Sequence, residues 1–130
     1  MTIIVGYIPN EYGEAALSAG LAEARQRGSD VLVVNATKGD ALIDQKYLGE
    51  EGLKNLTERL ASESGVTTEV RQTIGTDVAS EIVRIAEEVS ATLIVIGVRR
   101  RSPVGKMFMG SVAQQVLLDA TVPVLAVKPD

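Results

Sequence analysis

Between Gly97 and Ser111 the chain reads Gly-Val-Arg-Arg-Arg-Ser-Pro-Val-Gly-Lys-Met-Phe-Met-Gly-Ser. Residues of these types at this spacing suit one chemistry, the binding of an anion. Gly110 lets a phosphate come close to the backbone, and Ser111 with Gln114 fits the S-x-x-Q capping box that opens a helix. The free amides and the dipole at such a helix end attract negative charge. Arg99, Arg100, Arg101 and Lys106 add mobile cations, and Gly105 adds backbone freedom among them. A solvated loop ahead of an ordinary capped helix has the same spacing, so the residues by themselves leave both readings open.

The composition removes much of the catalytic repertoire. In 130 residues there is no His and no Cys. A Ser-His-Asp or Cys-His nucleophile is therefore impossible, as are a sulfur/nitrogen zinc site, an iron–sulfur cluster and a disulfide. Ser80, Ser102 and Ser111 have no imidazole base. Net charge is −4, unevenly spread: residues 1–88 carry fifteen acids against eight bases, whereas residues 89–118 carry four bases and no acid. One cationic loop on an acidic chain predicts a small anionic ligand; a nucleic-acid binder would carry a broad basic face. Asp40 and Asp44 precede the second helix, where Mg²⁺ held together with a nucleotide is conceivable and a charge-rich helix start is the plainer reading. A metal site made by the protein alone is not expected. No apolar run reaches the ~18 residues of a membrane span, and the first residues lack the basic start of a signal peptide, so the expected location is cytoplasmic and off the membrane.

Several phosphate-binding motifs fail on inspection. Only Gly6 and Gly13 follow the first strand, short of the G-x-G-x-x-G dinucleotide fingerprint. A P-loop would need glycine at Arg100 and Ser or Thr at Met107. A phospho-acceptor Asp is missing after the third strand, where Ile74-Gly75-Thr76 stands.

The elements that must position the loop follow from periodicity. Strands are expected at Thr2–Tyr7, Asp30–Asn35, Thr67–Ile74, Thr92–Gly97 and Val122–Lys128. Helices are expected from Glu11 to Arg27, capped by Asn10 and stopped by Gly28; roughly from Gln45 to Ser64; from Val78 to Val89, capped by Thr76 or Asp77; and from Ser111 to Ala120. Alternating strands and helices predict right-handed crossovers and a parallel sheet in one domain, residues 1–130. The first and fourth strands are the most apolar and should be neighbours where the winding reverses. The loops after them would then line one crevice.

Gly97, Gly110-Ser111 and the helix Val112-Ala113-Gln114-Gln115-Val116-Leu117, with Val122-Pro123-Val124-Leu125-Ala126-Val127 and the block at residues 81–97, resemble the universal stress protein family and its pattern G-x2-G-x9-G-(S/T). The resemblance spans essentially the whole chain. It implies a three-layer, doubly wound α/β fold of the adenine-nucleotide-hydrolase type, with five parallel strands in the order 3-2-1-4-5. Two positions depart from the pattern. Its second glycine is Arg100 here, and Ile8 stands where nucleotide binders of the family carry an Asp. Arg100 gives up a close backbone approach but offers a guanidinium that can clamp phosphate.

The resemblance implies binding of an adenine nucleotide, ATP or AMP, with Mg²⁺ if ATP. Ile8 and Val34 would wall the base, and Ile96 and Gly97 would pass beneath the ribose. Arg99, Arg100, Arg101 and Gly105 would wrap the phosphates, to which Gly110, Ser111 and Val112 would present amides. As residues alone, Ile8, Val34 and Ile96 read equally as plain core. The expected role is a stress-response sensor or adaptor, not a turnover enzyme, acting with an unidentified protein partner. A nucleotide-free dimeric interaction module and a weak ATPase are the alternatives. In the implied strand order Val122–Lys128 lies at a sheet edge while remaining apolar, which predicts a homodimer paired through that strand.

Overall fold

The structure is a computed structural model and describes residues 1–40, 44–63, 65–99 and 110–129. Among the described residues nine elements alternate: β1 (Thr2–Gly6), α1 (Glu11–Arg27), β2 (Asp30–Thr37), α2 (Gly49–Ala61), β3 (Thr68–Ile74), α3 (Val78–Glu88), β4 (Leu93–Gly97), α4 (Ser111–Asp119) and β5 (Val124–Val127). All strand pairs are parallel, in the order β3-β2-β1-β4-β5. This is the expected α/β fold, with β1 and β4 side by side at the reversal. In register, Ile3 faces Val31 on one side and Leu93 on the other.

Period-two alternation divides the apolar side chains between two layers. Ile3, Val5, Val31, Val33 and Val95 pack with α1 and α2. Ile4, Leu32, Val34, Ile94 and Ile96 pack with α3 and α4. With so few aromatic residues, both layers are filled by aliphatic side chains and by close backbone approach. Helix α1 lies against β1 and β4 through Gly13, Ala16, Gly20 and Ala24, all buried. A β-carbon on Gly20 would collide with the Val5 side chain, so the glycine is needed for packing despite its cost in helix propensity.

The helix ends show how local chemistry sets the boundaries. The Asn10 side chain accepts hydrogen bonds from the amides of Tyr12 and Gly13, at 3.0 and 3.1 Å, and Gly28 ends α1 with φ +64°. Asp77 caps α3 through the Ser80 amide. Two expectations need correction. Helix α2 starts at Gly49, not Gln45, because residues 44–48 form a turn tied to β2 by side-chain bonds. Asp44 is therefore a turn residue and not a charge at a helix start. The cap of α4 is Gly110, with no side-chain hydrogen bond, and Ser111 is its first helical residue, so the capping box does not form. The Gln114 amide instead donates to the Gly110 carbonyl.

The outer strand β3 is covered by charge. Arg71 pairs with Glu88, Arg84 reaches both Glu81 and Glu88, and the Thr73 hydroxyl donates to Glu81. Among the described residues no helix is long and apolar enough to cross a membrane.

Candidate functional site

At the carboxyl ends of β1, β2 and β4 a cleft of about 330 Å³ opens between α1 and the starts of α3 and α4. The sheet face below it is apolar, with Val34, Ala36 and Ile96 buried and Val78 and Ile82 contributed by α3. Ile8, Asn10, Tyr12 and Gly13 close it from the α1 side. Arg99, Gly110, Ser111, Val112 and Ala113 bring the amide end of α4 to the opposite wall. Gly110 has φ +79° and ψ +152°, a conformation essentially reserved for glycine, and the space where its side chain would stand is open. An anionic group can therefore approach that backbone freely.

Ile8, Val34, Ile96, Gly97, Arg99, Gly110, Ser111 and Val112, the residues singled out from the sequence, all line this one cleft. Arg100, Arg101 and Gly105 lie outside the described residues, as does Lys106. Sequence reasoning missed Tyr12 and Gly13 on α1, and Lys38 and Lys46 in the loop after β2, all of which line the cleft, as does Asp44. The missed signal was Asn35, a polar residue closing the apolar run Val31–Val34.

Asn35 is fully buried and shapes the β2 side of the cleft. Its side-chain amide donates to the Tyr7 carbonyl at 3.0 Å and to the Lys46 carbonyl at 2.9 Å, and its oxygen accepts from the Leu48 amide at 3.0 Å. One side chain thus ties the end of β1 and the loop before α2 to β2. The Asp44 carboxylate continues the frame, accepting from the amides of Lys38 at 3.2 Å and Lys46 at 3.0 Å. Burial works against the Asp44 charge, but those two amides and the neighbouring ammonium groups outweigh it and hold its pKa below the ordinary value.

Below the β1 loop, Tyr7 donates its hydroxyl to Glu14 at 2.5 Å, and Arg59 of α2 reaches the same carboxylate at 2.6 and 3.2 Å. Burial, and then the Glu14 hydrogen bond and charge, push the Tyr7 phenol up to about 12. The Arg59 hydrogen bond holds Glu14 below its usual range, against the opposing effect of burial. Among the described residues no group of three or more acidic side chains is placed to hold a metal ion. The arrangement offers an apolar seat, a helix end aimed at an anion, and a cationic rim.

The chain matches the model of the universal stress protein family over residues 1–128. It is 44% identical over 127 residues to a universal stress protein of Mycolicibacterium smegmatis, across 98% of this chain and 97% of that protein. Among solved structures it is similar to a universal stress protein from Archaeoglobus fulgidus, with a TM-score of 0.76, 33% identity and 98% of each chain covered. It is also similar to the universal stress protein from Archaeoglobus fulgidus in complex with dAMP, with a TM-score of 0.69, 29% identity and 98% of each chain covered.

Proposed function

The chain belongs to the universal stress protein family, and we propose that its work there is to bind an adenine nucleotide, ATP or AMP, as a stress-response sensor or adaptor in the cytoplasm. The observation that carries this reading is the cleft, where an apolar seat built on Val34, Ala36 and Ile96 faces the unencumbered Gly110 at the start of α4. A flat base suits the first and a phosphate the second. The relative solved with dAMP supports the same ligand class. Ile8 in place of an acid leaves the base held by apolar contact, and Arg99 lies where it can meet phosphate. Mg²⁺ would come with ATP and neutralise part of its charge.

The test is thermal unfolding of the purified protein with and without AMP, and with and without ATP and Mg²⁺. A ligand held by the folded state alone raises the melting temperature, by about 2.7 kcal/mol of stability at a hundredfold excess over Kd. Absence of any shift at millimolar nucleotide would refute the reading and leave the nucleotide-free interaction module. We do not assign turnover. The described cleft holds Asp44 as its acidic side chain, already engaged by two amides and well placed for structure, not for proton abstraction. A steady release of phosphate from ATP that is lost in a Gly110 variant would establish the weak-ATPase alternative instead.

A homodimer through Val122–Lys128 belongs to the same proposal. Among the described residues strand β5 pairs with β4 alone, and α4 beside it exposes Leu117 at 40% and Leu118 at 72%. Light scattering on the eluting protein should give a dimer mass at tens of micromolar; a clean monomer there would sink the idea.

A further inference from the structure

Two lysines on the β2 side of the cleft have no part in the reading above. Lys38 follows β2 directly and Lys46 closes the next turn, and both line the cleft across from Arg99 and the α4 end. Their main chains are fixed from several directions. Asp44 accepts from both amides, the Lys46 carbonyl is held by buried Asn35, and the Asp44 amide donates to the Asp40 carbonyl at 2.8 Å.

Their ammonium groups are placed differently from the guanidinium groups of the described arginines outside the cleft. Arg25, Arg27, Arg59, Arg71 and Arg84 are each ion-paired to a glutamate. Among the described residues neither Lys38 nor Lys46 has an ion-pair partner. The Asp44 carboxylate between them is engaged by main-chain N–H groups while both ammonium groups feel its charge, which leaves a net positive charge on the three, and Asp77, which feels the Lys38 charge, is engaged in capping α3. A chain whose first 88 residues are strongly acidic thus presents a cleft that is cationic at both ends. With the base on Val34, Ala36 and Ile96 and the 5′ phosphate at α4, the two lysines beyond the β2 edge of that seat are left for a further anionic group of the ligand.

We propose that Lys38 and Lys46 form a second anion station at the β2 end of the cleft, so that the preferred ligand is a nucleotide carrying a phosphate on its ribose as well as its 5′ phosphate. The inference rests on nucleotide binding in this cleft and specifies which nucleotide class it takes. Each added phosphate contact is a charge-assisted hydrogen bond to a rigidly based lysine.

Calorimetric titration compares AMP with adenosine 3′,5′-bisphosphate and its 2′,5′ isomer, on the native protein and on the Lys38→Gln/Lys46→Gln double variant. At least one bisphosphate should bind the native protein roughly tenfold or more tightly than AMP, from one to two charge-assisted contacts. The double variant should lose that advantage while its AMP affinity stays within about threefold, and both lysines are exposed, so it should fold normally. Bisphosphates no tighter than AMP, or an advantage that survives in the double variant, would overturn the second station and leave AMP binding intact. Failure of AMP, ATP and both bisphosphates alike would overturn the nucleotide reading and the station with it.

Discussion

The backbone carbonyl of Tyr12 occupies the space that a side chain on Gly97 would need, its carbon 2.7 Å from where the β-carbon would stand. Gly97 opens the glycine pattern that resembles a nucleotide loop, yet its bareness serves the packing of α1 on the end of β4. Gly110, which closes the pattern, has open space around it and a positive φ. The two glycines therefore do different work, one setting the cleft wall and the other exposing backbone to what enters.

Gly97→Ala should destabilise the protein without ligand, by about 3 kcal/mol, the upper part of the usual range for overpacking, because the clashing group is backbone and cannot rotate away. Urea denaturation measures it. A loss below about 0.5 kcal/mol would show that α1 can move off the sheet.

Gly110→Val should abolish the nucleotide-induced rise in melting temperature. Its own cost in stability is backbone strain of about 1–3 kcal/mol, visible without ligand and separable from it. A persistent shift would mean that phosphate lies elsewhere.

Asn35→Ala strands the Tyr7 and Lys46 carbonyls and the Leu48 amide in a buried place. The expected loss is roughly 2–4 kcal/mol by chemical denaturation. Hydrogen exchange should rise at Leu48, and nucleotide affinity should fall because both loops it ties form the cleft.

Tyr7 makes stability depend on alkaline pH. Its folded pKa is raised from 10.0 to about 12, so the protonated phenol is favoured by folding. That contribution is complete below about pH 10 and disappears as pH rises through about 12. Ultraviolet titration should show one tyrosine ionising near 12. In Glu14→Gln the Tyr7 transition should move to lower pH, since the adjacent negative charge is gone. An unmoved transition would leave burial as the sole cause.

Ala126→Pro tests the dimer. Pro123 and Val127 accept from Ile94 of β4 and from Val98 just after it, so the parallel ladder turns the amides of Val124 and Ala126 to the free edge. Proline at 126 removes one outward donor and should yield a folded monomer by light scattering. A dimer of unchanged mass would place the interface off this strand.

The strand runs were legible because each is a short β-branched segment bounded by Gly, Pro or Asn, and Asn10, Gly28 and Asp77 announced their caps by residue type. The start of α2 was misread because the Leu48, Leu53, Leu56 and Leu60 stripe begins before the helix does, while Gly49 at φ +74° marks the true start. The cleft residues near the glycine loop were legible from local spacing. Lys38, Lys46 and Tyr12 were not, because strand order alone brings them to that loop. Ser111 looked like a cap by type, but a glycine with positive φ took the position and removed the need.

The sheet's two outer strands are unequal. β3 is dressed with the Arg71–Glu88–Arg84–Glu81 network, whereas β5 carries no charged side chain. Growth by edge-to-edge joining needs two receptive ends on every unit, and this chain has one. Two copies meeting through β5 would consume both receptive ends and turn a charged β3 outward at each side, so self-association would terminate as a closed two-fold pair and could not propagate into a filament.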